Sequence, residues 1–278
     1  QDLLLNWFRN VFICPQGNEA DLLAYYKFDL GPEPLPMLDL IDSSGKGNHG
    51  SLVNMTGWEW FISGAITCGK ERWVDDDYEA GDLDDWHFNT IHEATEMAED
   101  GDMVIVKAGN YRENRDCEEG MGICEIGMIQ NKTIMVRSEL GSGQTTIDGN
   151  YLKKGFALLN ANKTIIKGFR FINCRYDMYP QGAAIHVTCM NAEDVSSPLI
   201  KNCQFIGNKA QKGGAIFADR SSPVIINCTF KQNRAQLGGA VFYETSGTGA
   251  LYLENCFFFE NKAFDSGGAV YSNVDLSS

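Results

Sequence analysis

Four stretches of this chain repeat one another: Phe169-Arg-Phe-Ile-Asn-Cys-Arg-Tyr176, Pro198-Leu-Ile-Lys-Asn-Cys-Gln-Phe205, Pro223-Val-Ile-Ile-Asn-Cys-Thr-Phe230 and Leu251-Tyr-Leu-Glu-Asn-Cys-Phe-Phe258. Their cysteines, Cys174, Cys203, Cys228 and Cys256, lie 29, 25 and 28 residues apart. In three copies a second asparagine follows (Asn208, Asn233, Asn261), then Lys or Arg, then Ala. A glycine pair closes each of those copies: Gly213-Gly214, Gly238-Gly239 and Gly267-Gly268. A period of this length, built from short β-branched runs without helical spacing, predicts one solenoid coil per repeat.

The side-chain pattern predicts how each coil bends. The residue three before each Cys (Phe171, Ile200, Ile225, Leu253), the Cys itself and the aromatic two after it (Tyr176, Phe205, Phe230, Phe258) are all apolar. Period-2 alternation would put Cys−3 and Cys on opposite faces, so the chain must turn between them. The Asn before each Cys tolerates the left-handed conformation and is the residue to make that turn. Asn173, Asn202, Asn227 and Asn255 are therefore expected to stack as an internal amide ladder, and Asn208, Asn233 and Asn261 to make a similar turn. The glycine pairs are expected to supply a tight turn with positive φ. Stacked cysteines on parallel strands point the same way, a poor geometry for disulfides, so Cys174, Cys203, Cys228 and Cys256 are expected as free, buried thiols.

Composition narrows the function classes. A net charge of −14 argues against a nucleic-acid partner, which requires clustered Lys and Arg, and is compatible with Ca²⁺ or with simple solubility. No apolar run approaches the roughly 20 residues of a membrane span. Nine cysteines leave five outside the repeats; Cys117 with Cys124 and Cys14 with Cys68 are the disulfide candidates, with Cys189 left alone. N-glycosylation sequons stand at Asn54, Asn131 and Asn162; a fourth, at Asn227, is discounted by the ladder reading.

Upstream, Thr90-Ile-His-Glu93 fits a capping box, Ile91, Ala94 and Ala98 share a helical face, and Gly101 fits a helix stop before the strand Met103-Val-Ile-Val106. A short amphipathic helix there would cover the first coil of a solenoid. Residues 89–111 resemble the opening of pectin-lyase-like right-handed parallel β-helix domains, and Lys132-Thr-Ile-Met-Val-Arg137 with Thr145-Thr-Ile-Asp-Gly149 resembles that family's next coil. The Phe-x-x-Asn and Gly-Gly-Ala-Ile/Val motifs are similar to those of chlamydial polymorphic outer-membrane adhesins. The resemblance covers roughly residues 85–278 and implies an all-β, right-handed parallel β-helix with an N-terminal capping helix. Near the N-terminus, Ala24-Tyr-Tyr-Lys-Phe-Asp29 and Asp42-Ser-Ser-Gly-Lys-Gly-Asn-His-Gly-Ser-Leu52 resemble the opening hairpin of concanavalin- or laminin-G-like domains, and the Gly-rich run predicts a β-hairpin on its own.

The expected organisation is a β-rich segment over 1–74, an acidic linker over 75–86 and the β-helix over 87–278, continuing or docking beyond 278. The run Asp75–Asp85 holds seven carboxylates in eleven positions. Asp75, Asp77, Asp82 and Asp84 are its Ca²⁺ candidates, although the spacing is not that of an EF-hand loop. No metal-ligand Cys/His cluster occurs, and no cofactor is expected. Pectin-lyase-like enzymes set paired acids, or a base with Ca²⁺, on one outer sheet. Here Arg170, Arg175 and Asp177 are the nearest approach, read as surface charge ahead of catalysis. The expected function is an extracellular structural or adhesive solenoid, secreted or at the cell surface. Its partners would be copies of itself, other matrix or filament proteins, or glycans. A polysaccharide lyase or hydrolase and a glycan-binding module are the alternatives.

Overall fold

The computed structural model describes residues 39–40, 50–51, 69–79, 81–112, 125–176, 182–189, 196–245 and 249–274. The chain divides into two compact units, Gln1–Cys68 and Gly69–Ser278. In the first, Asp39–Leu40 pairs antiparallel with Gly50–Ser51, bracketing the glycine-rich run. The second is a parallel β-solenoid of six coils with four walls. One coil shows the plan: Val224–Ile226 lies in sheet 1, Thr229–Lys231 in sheet 2, Arg234–Leu237 in sheet 3 and Val241–Thr245 in sheet 4. Wall strands pair with their counterparts in adjacent coils, as in Ile200↔Ile225↔Leu253 and Phe205↔Phe230↔Phe258, with one register shift between Ala235 and Leu237 on sheet 3.

The boundary between the units precedes the acidic segment, which is not a linker. Glu71–Val74 and His87–Phe88 pair with each other and extend sheet 1, so residues 75–79 and 81–86 belong to the solenoid's first turn. The helix Ile91–Met97 starts where Thr90 caps it, Oγ1 accepting from the Glu93 backbone N–H at 3.2 Å. Its Ile91 and Ala94 are buried against the core, and it packs on Glu125–Gln130, the first strand of sheet 4. Gly101, at φ 90°, releases the chain into Met103–Val106. The Arg72 guanidinium and Asp102 form a buried ion pair at 2.9 Å at this end, and Asp102 also accepts the Lys70 and Glu99 backbone N–H groups.

The first repeat copy sits in a different register from the one its Asn-Cys dipeptide suggests. Ile165–Lys167 pairs with Leu199–Lys201, and Arg170–Ile172 pairs with Gln204–Ile206, an offset of 34 residues in place of 29. Gly168, at φ 81°, thus takes the corner of Asn202, and Phe169 the place of Cys203. Asn173 moves to the next corner, beside Gly207, and Cys174 stands beside Asn208. The decisive factor is the interior: this register places Phe171 on Phe205, ring centroids 5.0 Å apart and planes 5° from parallel. The five-residue alternative would put Phe171 over Ile200.

The glycine pairs serve two different needs. Gly213, Gly238 and Gly267 hold φ of 61°, 63° and 70°, whereas their partners are not left-handed. A Cβ on Gly239 would stand 2.1 Å from the Gly268 carbonyl oxygen, so the second glycine lets adjacent coils approach. Gly239→Ala is expected to lower stability by about 3 kcal/mol, read as a drop in the urea midpoint.

Candidate functional site

Two kinds of corner carry the asparagines, and they differ in direction. Asn202, Asn227 and Asn255 have φ of 56°, 53° and 49°, the left-handed turn the sequence calls for, but they are exposed. Their ladder is an outer one, with Asn227 Nδ2 donating to Asn202 Oδ1 at 3.3 Å. Asn173 is likewise left-handed, and its Nδ2 donates to Asp148 Oδ1. A left-handed residue at a convex corner swings its side chain outward, and this corrects the expected internal ladder. The burial argument against a glycan on Asn227 therefore falls.

The internal ladder is made by the second set. Asn208 and Asn233 are fully buried, and the turn beside them is made by the preceding residue: Gly207, Gln232 or Glu260, with φ of 68°, 56° and 52°. Each inward carboxamide then serves the coil before it. Asn233 Oδ1 accepts from both the backbone N–H and Nδ2 of Asn208, and Asn261 Oδ1 does the same for Asn233. Each Nδ2 also donates to a phenylalanine carbonyl one coil back: Phe171, Phe205 and Phe230 in turn. Cys174 N–H opens the series by donating to Asn208 Oδ1.

Beside this ladder, Phe171, Phe205, Phe230 and Phe258 form a continuous stack with spacings of 5.0, 4.8 and 4.8 Å. Cys203, Cys228 and Cys256 form a third column, each thiol donating to carbonyls of its own coil and the one before. Cys174 lies outside that column, and burial pushes its thiol up to about 12. The hydrogen bond with Cys203, and then loss of water, push the Cys228 thiol upward, so Cys228 stays protonated at neutral pH. The five described cysteines, these four and Cys189, are free thiols. Cys14, Cys68, Cys117 and Cys124 lie outside the described residues.

Sheet 4 carries a second stack on its outer side: Phe217, Phe242 and Tyr271, at 5.4 and 5.1 Å, with Lys212 over the Phe242 ring. His186 continues this column one coil earlier, edge-on to Phe217 at 5.3 Å. It is 7% exposed, and its Nε2 is buried without a hydrogen-bond partner among the described residues. Lys154, 1% exposed, lies on the coil before and is in turn flanked by Glu125. Burial, then the Lys154 charge, lowers the His186 pKa to about 3; burial, partly offset by Glu125, lowers Lys154 to about 8. The folded His186 pKa is thus below its unfolded value near 6.5, so its contribution is intact above pH 6.5 and is lost as pH falls toward 3. The slope is at most about 1.4 kcal/mol per pH unit. His186→Phe, which extends the aromatic column, is expected to remove this acid-side slope and raise the melting temperature at pH 5. The folded pKa of Lys154 is lowered in the same direction, adding stability as pH rises from 8 toward 10.5.

The outward charges do not converge on one site. Lys167 and Lys201 are neighbours in sheet 1, Arg170 donates to Gln204 Oε1 at 3.3 Å in sheet 2, Arg175 lies in sheet 3, and Asp219 pairs with Arg220 on sheet 4. Arg170 and Arg175 are thus on different walls, and Asp177 lies outside the described residues. The Ca²⁺ candidates use their oxygens locally. Asp75 pairs with Lys107 at 3.1 Å and accepts the Asp77 N–H, and Asp82 accepts the Glu79 N–H. Asp84 accepts the N–H groups of Trp86 and His87, and the Trp86 bond chiefly holds its carboxyl below the ordinary value. Among the described residues no group of three metal-ligating side chains forms. Asn131 and Asn162 are exposed on the turns between sheets 4 and 1, and Asn54 lies outside the described residues.

One outer column was passed over in reading the sequence. The Lys or Arg after each second Asn places Lys209, Arg234 and Lys262 in register on sheet 3, with Arg175 one coil before. The signal was the Asn-Lys/Arg-Ala triplet, whose middle residue must face outward when the Asn and Ala face in. A family profile described as right handed beta helix region matches residues 124–276. The chain belongs to the right-handed β-helix family. No curated protein and no solved structure matches the chain. The match spans coils whose three inner columns have just been described, and no helix among the described residues is long and apolar enough to cross a membrane.

Proposed function

We propose that this β-helix is an extracellular structural or adhesive element, a rigid building block of a surface filament, wall or appendage. The observation that carries this reading is the continuity of the inner columns. The Asn208–Asn233–Asn261 ladder, the phenylalanine stack and the thiol column run through the last three described coils without a break. Side chains invested in identical rungs make a stiff rod of about 30 Å, taking about 4.8 Å per coil. The variable residues are left on the outer walls, where contacts with neighbours are made. Exposed sequons at Asn131, Asn162 and Asn227 suit a secreted chain.

Immunogold labelling of intact cells, with fractionation of the native source, tests this. The expected result is surface label and recovery in an insoluble assembly. Intracellular label, or depolymerisation of uronate polysaccharides by the purified chain with loss on Arg175→Ala, would overturn it in favour of an enzyme.

A further inference from the structure

The last described coil has an outer surface unlike the others. Phe257, Phe259 and Phe264 are 70%, 56% and 60% exposed, on the outer faces of sheets 2 and 3. Lys231 lies over the Phe259 ring and Lys262 over the Phe264 ring, with Glu260 and Asp265 exposed in the same coil. Lys262 ends the column that runs through Arg234 to Lys209, three exposed cations about 4.8 Å apart. Stacked like charges repel, and among the described residues no carboxylate pairs with any of the three. In a chain of net charge −14 this stripe is an anomaly of sign.

The opposite end of the same solenoid has the complementary character. Sheet 1 runs from Tyr252–Glu254 at one edge to Glu71–Val74 and His87–Phe88 at the other, so the acidic loop of the first turn lies at the far end from the phenylalanines. Asp77, Glu79 and Asp85 are exposed there without a cation partner among the described residues, and Leu83 and Trp86 are exposed beside them. A basic column with phenylalanines beside it on the sheet 3 wall, and an acidic loop with apolar side chains in the first turn, form a heterologous complement. Repeated, such a contact closes a ring or extends a filament.

We propose that the Lys209–Arg234–Lys262 column and the phenylalanines beside it dock the acidic first-turn loop of a second copy of this chain. The proposal rests on the assembly reading above and names its contact. Charge complementarity steers the encounter and fixes the register, while the exposed aromatic and apolar side chains supply the desolvated centre. A single column one cation wide is too narrow for a nucleic-acid duplex, which would also meet the acidic remainder of the surface.

Sedimentation velocity of the 278-residue chain over a concentration series, at low and at high salt, tests the contact. The expected result is open-ended association that weakens roughly tenfold or more between 50 mM and 500 mM salt. Two charge-reversed proteins are then made: Lys209→Glu/Arg234→Glu/Lys262→Glu, and Asp77→Lys/Glu79→Lys/Asp85→Lys. Each alone should be monomeric with an unchanged circular dichroism spectrum, and their equimolar mixture should regain open-ended association, because the two reversed surfaces meet each other and the two unreversed ones, one on each variant, keep the wild-type contact. A wild-type chain that stays monomeric at low salt overturns the proposal, as does association unchanged in both variants. A monomeric wild type retained on an acidic-polysaccharide column, with retention lost in the first variant, would assign the column to a polyanion instead. Surface assembly in the native source combined with a monomeric, salt-insensitive chain would overturn this contact while leaving the assembly reading intact.

Discussion

Asn233→Leu is expected to lower the unfolding free energy by about 4 kcal/mol. The substitution removes the acceptor of the Asn208 backbone N–H and of its carboxamide, and the donor to the Phe205 carbonyl, all buried. Each buried polar group left without a partner costs about 1–3 kcal/mol, and leucine supplies no replacement. Asn227→Ala, five residues upstream of Gln232 in the same coil, should cost only about 1 kcal/mol. It loses a solvent-exposed amide bond and places alanine in a left-handed turn. Paired urea titrations followed by far-ultraviolet circular dichroism decide between the two asparagine sets. A larger loss at Asn227 than at Asn233 would invert the assignment of inner and outer ladders.

Phe205→Ala should cost about 4 kcal/mol as well, for a different reason. Phe205 is fully buried between Phe171 and Phe230, its ring 5.0 and 4.8 Å from theirs. Truncation opens a cavity in the middle of the stack and removes two ring contacts at once. Neighbouring coils are pinned by the Asn ladder and by in-register strands, so the space has little freedom to collapse. Phe205→Leu, which keeps most of the volume, should cost roughly half as much. The same measurement with equal losses for both variants would mean that the cavity relaxes and the stack is not a rigid spine.

Much of the solenoid was legible because its determinants are local. The Thr90 cap, the buried face of Ile91 and Ala94, and the left-handed corners at Asn202, Asn227 and Asn255 follow from properties of those residues and their immediate neighbours. What escaped depends on which residue lies one coil away. An Asn-Cys dipeptide fits either corner, so only the ring of Phe205 selects the register that places Cys174 beside Asn208. Which of two asparagines faces inward is set by whether it is the left-handed residue or the one after it, and both are turn formers. The Lys154–His186 row is invisible in the sequence for the same reason. Its members are 32 positions apart, and each looks like an ordinary surface residue on its own strand.

The candidate surface was legible only in part. The acidic run at 75–85 and the Lys/Arg after each second Asn are plain in the sequence. Their separation along one rod requires the sheet order, because coil stacking converts sequence distance into position along the axis.

Electron cryo-tomography of the native surface, averaged over labelled copies, tests the central claim most directly. The account predicts β-helical rods of about 30 Å or longer joined in ordered rows, with the sheet 3 wall of each copy against a neighbour. Copies scattered singly, with the sheet 3 wall facing solvent and no neighbour in fixed orientation, would contradict it.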